Sequence, residues 1–105
     1  MVLTTCNSSE MASLIADSLV NEKLAACVNI MQGVESVYQW QGEIEHAKEI
    51  LLLIKSRQSL FSPLKQAILA LHDYELPEII AVPIEAGETN YLNWIQSATL
   101  ATEQT

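Results

Sequence analysis

The stretch YQWQGEIEHAKEILLLIKS, residues 38–56, decides the fold. It reads as two β-prone runs folded about Gln41-Gly42, with the first arm reaching back to Leu24. At about 3.3 Å per residue, the return arm alone, residues 43–56, would extend roughly 45 Å. A compact domain of this length is only about 33 Å across. The hairpin is longer than the body that should hold it, so it must bend, or overhang and bury itself against something else.

Within the hairpin, Val34, Tyr38, Trp40 and Ile44 share a face only if the turn holds an odd number of residues. That condition predicts a three-residue loop containing Gly42. Upstream, MQG reads as a bulge at Gly33. EIEHAKE is largely polar, whereas ILLLI is apolar on both faces and needs cover on both.

The flanking segments order themselves around the hairpin. VLTT is a short first strand. NSSE follows as a helix start, with Asn7 as N-cap and Glu10 three residues on. Met11, Leu14, Ile15 and Leu19 form its stripe, with Lys23 at the C-terminal end of the dipole. Ser62-Pro63 starts a second helix with Leu64, Ala67, Ile68 and Leu71 inward, ending near His72. PEIIAVPI is a strand bounded by prolines, suited to a sheet edge. ETNYLNWIQSATL is a last helix, with Tyr91, Leu92 and Ile95 inward. The order β-α-β-β-α-β plus a terminal helix predicts an α+β, ferredoxin-like sandwich, one antiparallel sheet with helices on one face. The other face, carrying the second side of ILLLI, is left for a partner, most simply another copy of the chain.

Composition narrows the function. The 105 residues are 50% hydrophobic and 17% charged, with a formal net charge of −8, which describes one folded domain, residues 1–105. Five Lys and Arg in all argue against nucleic acid, because a phosphate backbone needs clustered cations. The first strand also lacks the aromatics of an RNA-binding sheet. The longest apolar run, ILLLI, is too short to span a bilayer, and no signal segment opens the chain, so the expected location is the cytoplasm. Two cysteines without clustered spacing suggest neither a disulfide framework nor a zinc ribbon. No Ser-His-Asp set, Gly-rich phosphate loop or catalytic carboxylate pair emerges from the spacing, so no enzyme is expected. Acylphosphatases share the topology but need an arginine in the loop after the first strand, and Arg57 lies elsewhere.

The blocks EKLAACVNI, SVYQWQGEIE, EILLLIKS, HDYELPEIIAVPI and GETNYLNWI, in that order, closely resemble the CutA divalent-cation tolerance family, and the resemblance runs along nearly the whole chain. It implies a ferredoxin-like protomer in a tight homotrimer, akin in architecture to the PII signalling proteins, with the long hairpins extending the sheets across subunit boundaries. It also implies a response to copper or another divalent metal. The copper site proposed for the family would place a cysteine at Thr4 and a histidine pair at Leu71 and His72. Only His72 matches.

The candidate residues follow. His72 is the first metal candidate, though a helix-end histidine can instead cap carbonyls. Cys6, before a helix N-terminus, should have a lowered pKa and be the more reactive thiol, whereas Cys27 reads as a small core residue that becomes a soft ligand only beside a second donor. Glu78, opening an apolar strand, needs a partner, for which Lys55 is the candidate. As a pair they are either a structural tie or, together with Tyr74, the polar end of a cleft between subunits. His46, among glutamates, reads as solvated surface. Trp40, Tyr38, Trp94, Ile50 and Leu52 are the expected subunit contacts, since aromatics dominate interface anchors. Two functions compete: metal tolerance with direct ion binding, and a PII-like small-molecule sensor with its ligand in the clefts.

Overall fold

The computed structural model describes residues 1–101. Its elements are β1 (Val2–Cys6), α1 (Ser9–Asn21), β2 (Cys27–Trp40), β3 (Glu43–Lys55), a 3-10 turn (Gln58–Leu60), α2 (Phe61–Leu71), β4 (Ile79–Ala81) and α3 (Thr89–Ala98). The strands form one sheet in the order β2-β3-β1-β4, every pairing antiparallel. This is the ferredoxin-like arrangement expected, with the short proline-bounded strand at an edge. The β2–β3 hairpin is the overhang, and the molecule measures 44 × 28 × 24 Å along its principal axes.

The turn corrects the sequence reading. Trp40 pairs directly with Glu43, so the loop is two residues, Gln41 (φ 52°) and Gly42 (φ 84°). Both lie at positive φ, as the type I′ turn requires, because its twist matches that of the strands it joins. The left-handed conformation costs the glutamine about 1 kcal/mol, which the hairpin tolerates. An even loop reverses one expected neighbour: Ile44 opposes Gln39 and sits on the face opposite Trp40. The bulge is where it was read. Met31 pairs with Leu51 and Val34 with Glu49, so Gln32 and Gly33 together oppose Ile50, with Gly33 at φ 78°.

Strand alternation sorts β3 into two faces. Ile50, Leu52 and Ile54 are buried in a cluster with Val2, Cys6, Ile15, Leu19, Leu64 and Ile68, between the sheet and the pair α1 and α2. Ile50 and Leu52 are therefore core residues, not subunit contacts. Each buried Leu or Ile contributes about 1.5–3 kcal/mol. Leu51 and Leu53 take the outer face, half-buried beside Leu3, with Met31 and Ile80 about half exposed there.

Helix boundaries differ in detail. Ser8, not Asn7, caps α1: its Oγ accepts the Met11 N–H at 3.1 Å. The buried stripe is Ala12, Ile15, Ala16 and Leu19, and Leu14 is left 49% exposed. α2 buries Leu64 and Ile68 and ends with His72 as its C-cap, as expected. In α3, Ile95 is buried and Leu92 half-buried, but Tyr91 is exposed. Arg57 ties this helix to the body, its Nε donating to Thr99 Oγ1 at 2.9 Å and its guanidinium to the Gln96 carbonyl at 2.5 Å.

Candidate functional site

After Leu71 the chain leaves the helix at His72 (φ −71°, ψ 144°) and crosses the end of β1 as residues 73–78. His72 fixes this crossing. Its Nε2 lies 2.7 Å from the Thr5 carbonyl oxygen, which can only accept, so Nε2 carries a proton. Its Nδ1 accepts the Tyr74 backbone N–H at 3.1 Å. The ring is thereby the neutral Nε2–H tautomer with both nitrogens in use, its side chain 1% exposed. Asp73 Oδ1 stands 3.6 Å from Nδ1. That nitrogen has no proton to share, so the approach is not an ion pair. His72 closes α2 through its backbone N–H, which donates to the Ile68 carbonyl at 2.8 Å, while its imidazole bonds no carbonyl of the helix and instead clamps β1 to the crossing segment.

The Tyr74 ring tilts against His72 at 4.5 Å between centroids and projects its hydroxyl to Glu49, donating to Oε2 at 2.7 Å. Ser36 Oγ donates to the other carboxylate oxygen at 2.5 Å. Glu49 pairs with Val34, the first residue past the bulge, so the Gly33 kink is what brings β2 around to offer Ser36. Burial, the hydrogen bond to Glu49 and its negative charge push the Tyr74 phenol well above its ordinary pKa. Together these groups line a groove of about 680 Å³ with Tyr38, Trp40, Asp73, Glu75, Leu76 and Glu78. Sequence reasoning placed Tyr74 and Glu78 in a cleft but missed Glu49 and Ser36. The signal was available: Glu49 has the same strand parity as Leu51 and Leu53 and so faces outward from the sheet.

Other candidates do not converge. Cys6 is fully buried, its thiol donating to the Ser8 carbonyl at 3.6 Å, and burial pushes its pKa up. The expected activation by the helix N-terminus is outweighed by desolvation of the thiolate. Cys27 is half-buried at the far end of the sheet, opposite Lys55. Lys55 bonds the Asn29 side chain, not Glu78. Glu78 is exposed beside β4, which pairs with β1 and not with β3, so the expected ion pair does not form. His46 stands 3.6 Å from Glu35, both largely exposed. Trp40, Tyr38 and Trp94 are partly exposed, at 36%, 45% and 45%.

The residues available do not fit a metal within one chain. Among the described residues no three His, Cys, Asp or Glu side chains are grouped to hold an ion. Thr4 is buried in the core, Leu71 packs against it, and His72 has no free nitrogen.

A four-stranded antiparallel sheet with two helices on one face and an overhanging central hairpin defines a ferredoxin-like α+β protein, here with an acidic, aromatic groove at the hairpin base. The family model described as CutA1 divalent ion tolerance protein matches residues 1–98. The chain belongs to the CutA1 family. It is 48% identical over 99 residues to the divalent-cation tolerance protein CutA of Thermus thermophilus, covering 94% of this chain and 96% of that one. It is equally identical to the chloroplastic CutA protein of Arabidopsis thaliana, but spans only 54% of its length. The solved CutA1 of Oryza sativa superposes with a TM-score of 0.93 at 44% identity, over 96% of this chain and 93% of that one. Among the described residues no helix is long and apolar enough to cross a membrane.

Proposed function

We propose that this chain serves divalent-cation tolerance in the cytoplasm as a non-enzymatic homotrimer, each 1–105 protomer a single domain. The observation that carries the reading is the outer sheet face. Leu3, Leu51 and Leu53 are only half-buried there and Met31 and Ile80 are exposed, an apolar strip that isolated soluble proteins rarely leave bare. The long β2 edge and the short β4 edge lie at opposite sides of the sheet, which leaves both open to head-to-tail pairing of identical copies, the kind of contact that forms a ring when its rotation closes. The hairpin then seats Trp40 and Tyr38 on a neighbour, and Trp94 on α3 offers a further contact. Sedimentation equilibrium at micromolar concentration tests the assembly: three times the 11.6 kDa protomer mass is expected, and a stable monomer sinks it. Growth of a bacterium lacking its own relative, with and without this protein, under copper or zinc stress tests the tolerance role.

A second reading, a PII-like sensor of a small molecule, is favoured by the groove. Copper or another divalent ion held by His72, Cys6, Cys27 or Glu78 within one chain is disfavoured by the geometry, so direct metal binding requires donors from more than one copy. The groove offers an indirect route, in which the protein responds to an organic ligand. Mass spectrometry under non-denaturing conditions separates the two, as a retained ion or a retained organic mass.

A further inference from the structure

We infer that His72 is a pH-sensitive latch: on taking up a proton, its imidazole exchanges the Tyr74 amide for the Asp73 carboxylate and frees the crossing segment, residues 73–78. The observed bonds need the neutral ring, because Nδ1 accepts the Tyr74 N–H at 3.1 Å while Nε2–H donates to the Thr5 carbonyl at 2.7 Å. Protonation turns Nδ1 into a donor, and two N–H groups then confront each other. An acceptor is already in place. Asp73 Oδ1 stands 3.6 Å from the same nitrogen, on a side chain that is 56% exposed and free to approach. With the imidazolium that approach becomes a charge-assisted hydrogen bond.

The crossing segment hangs on this ring. Among the described residues, residues 73–78 make two hydrogen bonds to the rest of the fold, from the Tyr74 N–H to the imidazole and from the Tyr74 hydroxyl to Glu49, and none to a backbone partner. Loss of the first leaves one side-chain bond and the packing of Tyr74 against the ring itself. The charges around the imidazole favour its protonated form. Asp73 is on the crossing segment, with Glu75 and Glu78 farther along it, and β3 contributes Glu49. α1, which follows Cys6, has Glu10 in its first turn, and the last turn of α2 adds no basic residue. Burial keeps the Cys6 thiol and the Tyr74 phenol protonated, so neither brings a charge. The ring also sits at the C-terminal end of α2, where a cation is favoured. Its own burial opposes the charge, so proton and clamp compete. All of these bonds lie within one chain, around a side chain already only 1% exposed, and no part of the latch is supplied by a neighbouring subunit or a metal.

The test uses the unaltered full chain, taken from about pH 7.5 to about pH 5, across the range in which histidines titrate. Ring-nitrogen NMR follows His72, with the largely exposed His46 as the reference titration in the same sample. Amide hydrogen exchange, scaled to the pH dependence of a free amide, follows Tyr74. The Tyr74 amide should lose protection by about tenfold or more in step with protonation of His72, a loss the size of one hydrogen bond. The amides of Leu52 and Ile54, inside the sheet, should keep theirs. A ring that stays neutral throughout overturns the inference, as does a protonated ring beside a Tyr74 amide still protected. Loss of protection at Leu52 and Ile54 in the same step overturns it too, since that is acid unfolding of the whole domain. Asp73→Asn withholds the carboxylate at nearly unchanged shape, so both steps should move to lower pH. Steps that stay where they were overturn the exchange.

Discussion

Replacing Thr4 by valine should make this protein more stable. Thr4 lies at the centre of β1, paired with Leu52 on one side and Ile79 on the other, and is 0% exposed. Its Oγ1 is a buried side-chain oxygen with no hydrogen-bond partner among the described residues. Mutational data put the cost of such an orphaned hydroxyl at about 1–3 kcal/mol. Valine keeps the β-branch, and with it the χ1 preference and strand propensity. It exchanges the hydroxyl for a methyl worth about 0.8 kcal/mol of burial. The net expectation is about 1–2 kcal/mol of added stability, or roughly 5 °C or more in Tm for a chain of this size. Denaturant unfolding at matched protein concentration measures it, because an assembling protein has a concentration-dependent midpoint. Thr4→Ser, which keeps the hydroxyl and loses the methyl, is the control and should be less stable than the parent. Should Thr4→Val prove destabilising while its m-value is unchanged, the hydroxyl has a partner in solution and the reasoning fails.

Three further outcomes are expected. Tyr74→Phe should flatten the alkaline limb of stability: the raised phenol binds its proton more tightly folded than unfolded, so its contribution is complete below about pH 10 and lost as pH rises beyond it. Unfolding curves from pH 8 to 11 that are parallel for the two proteins would refute this. Gln41→Asn should stabilise the hairpin by a few tenths of a kcal/mol, because asparagine tolerates the φ of 52° at the type I′ turn, and thermal melts check it. Trp40→Ala should weaken assembly by about 2 kcal/mol per contact while leaving the protomer's far-ultraviolet circular dichroism intact. Trimer persisting on dilution as in the parent would show that the tip anchors nothing.

The fold was legible because several independent local signals agreed. The overlong hairpin, the Gly33 bulge, the helix end at His72 and the proline-bounded edge strand each had a physical cause visible in the residues. What failed turned on parity. A strand's faces exchange with a slip of one residue, and the two-residue turn moved Ile44 away from Trp40. ILLLI is apolar on both sides, so composition alone could not say that Ile50 and Leu52 turn toward the helices while Leu51 and Leu53 turn away. Asn7 and Ser8 are both good N-caps, and only backbone geometry chooses between them. The site was harder to read for a different reason. Cys6 precedes a helix, which lowers a thiol's pKa, and is buried, which raises it, and burial is set by tertiary packing that the local pattern does not contain. Glu49 looked like one of several hairpin charges until Tyr74, 25 residues away, supplied its partner.

The three positions at which the family resemblance would place copper ligands are instead structural in this chain, and the clamp at His72 explains how the groove persists without them. Thr4 and Leu71 belong to the core side of the sheet and of α2. His72 joins that core to the outer face, because Nε2–H holds the Thr5 carbonyl while Nδ1 receives the Tyr74 N–H. The position of Tyr74, and through its hydroxyl that of Glu49, therefore depends on the imidazole. Loss of His72 would release the crossing segment and spread the groove's aromatic and acidic walls, removing two hydrogen bonds worth about 1 kcal/mol each. A loss of function in His72→Ala is thus no proof of metal ligation. His72→Asn, which can preserve a donor or an acceptor but not both at the imidazole's reach, should lose less thermal stability than His72→Ala, with the same response to added Zn²⁺ or copper as the parent. A ligand histidine would instead lose its metal response in both variants.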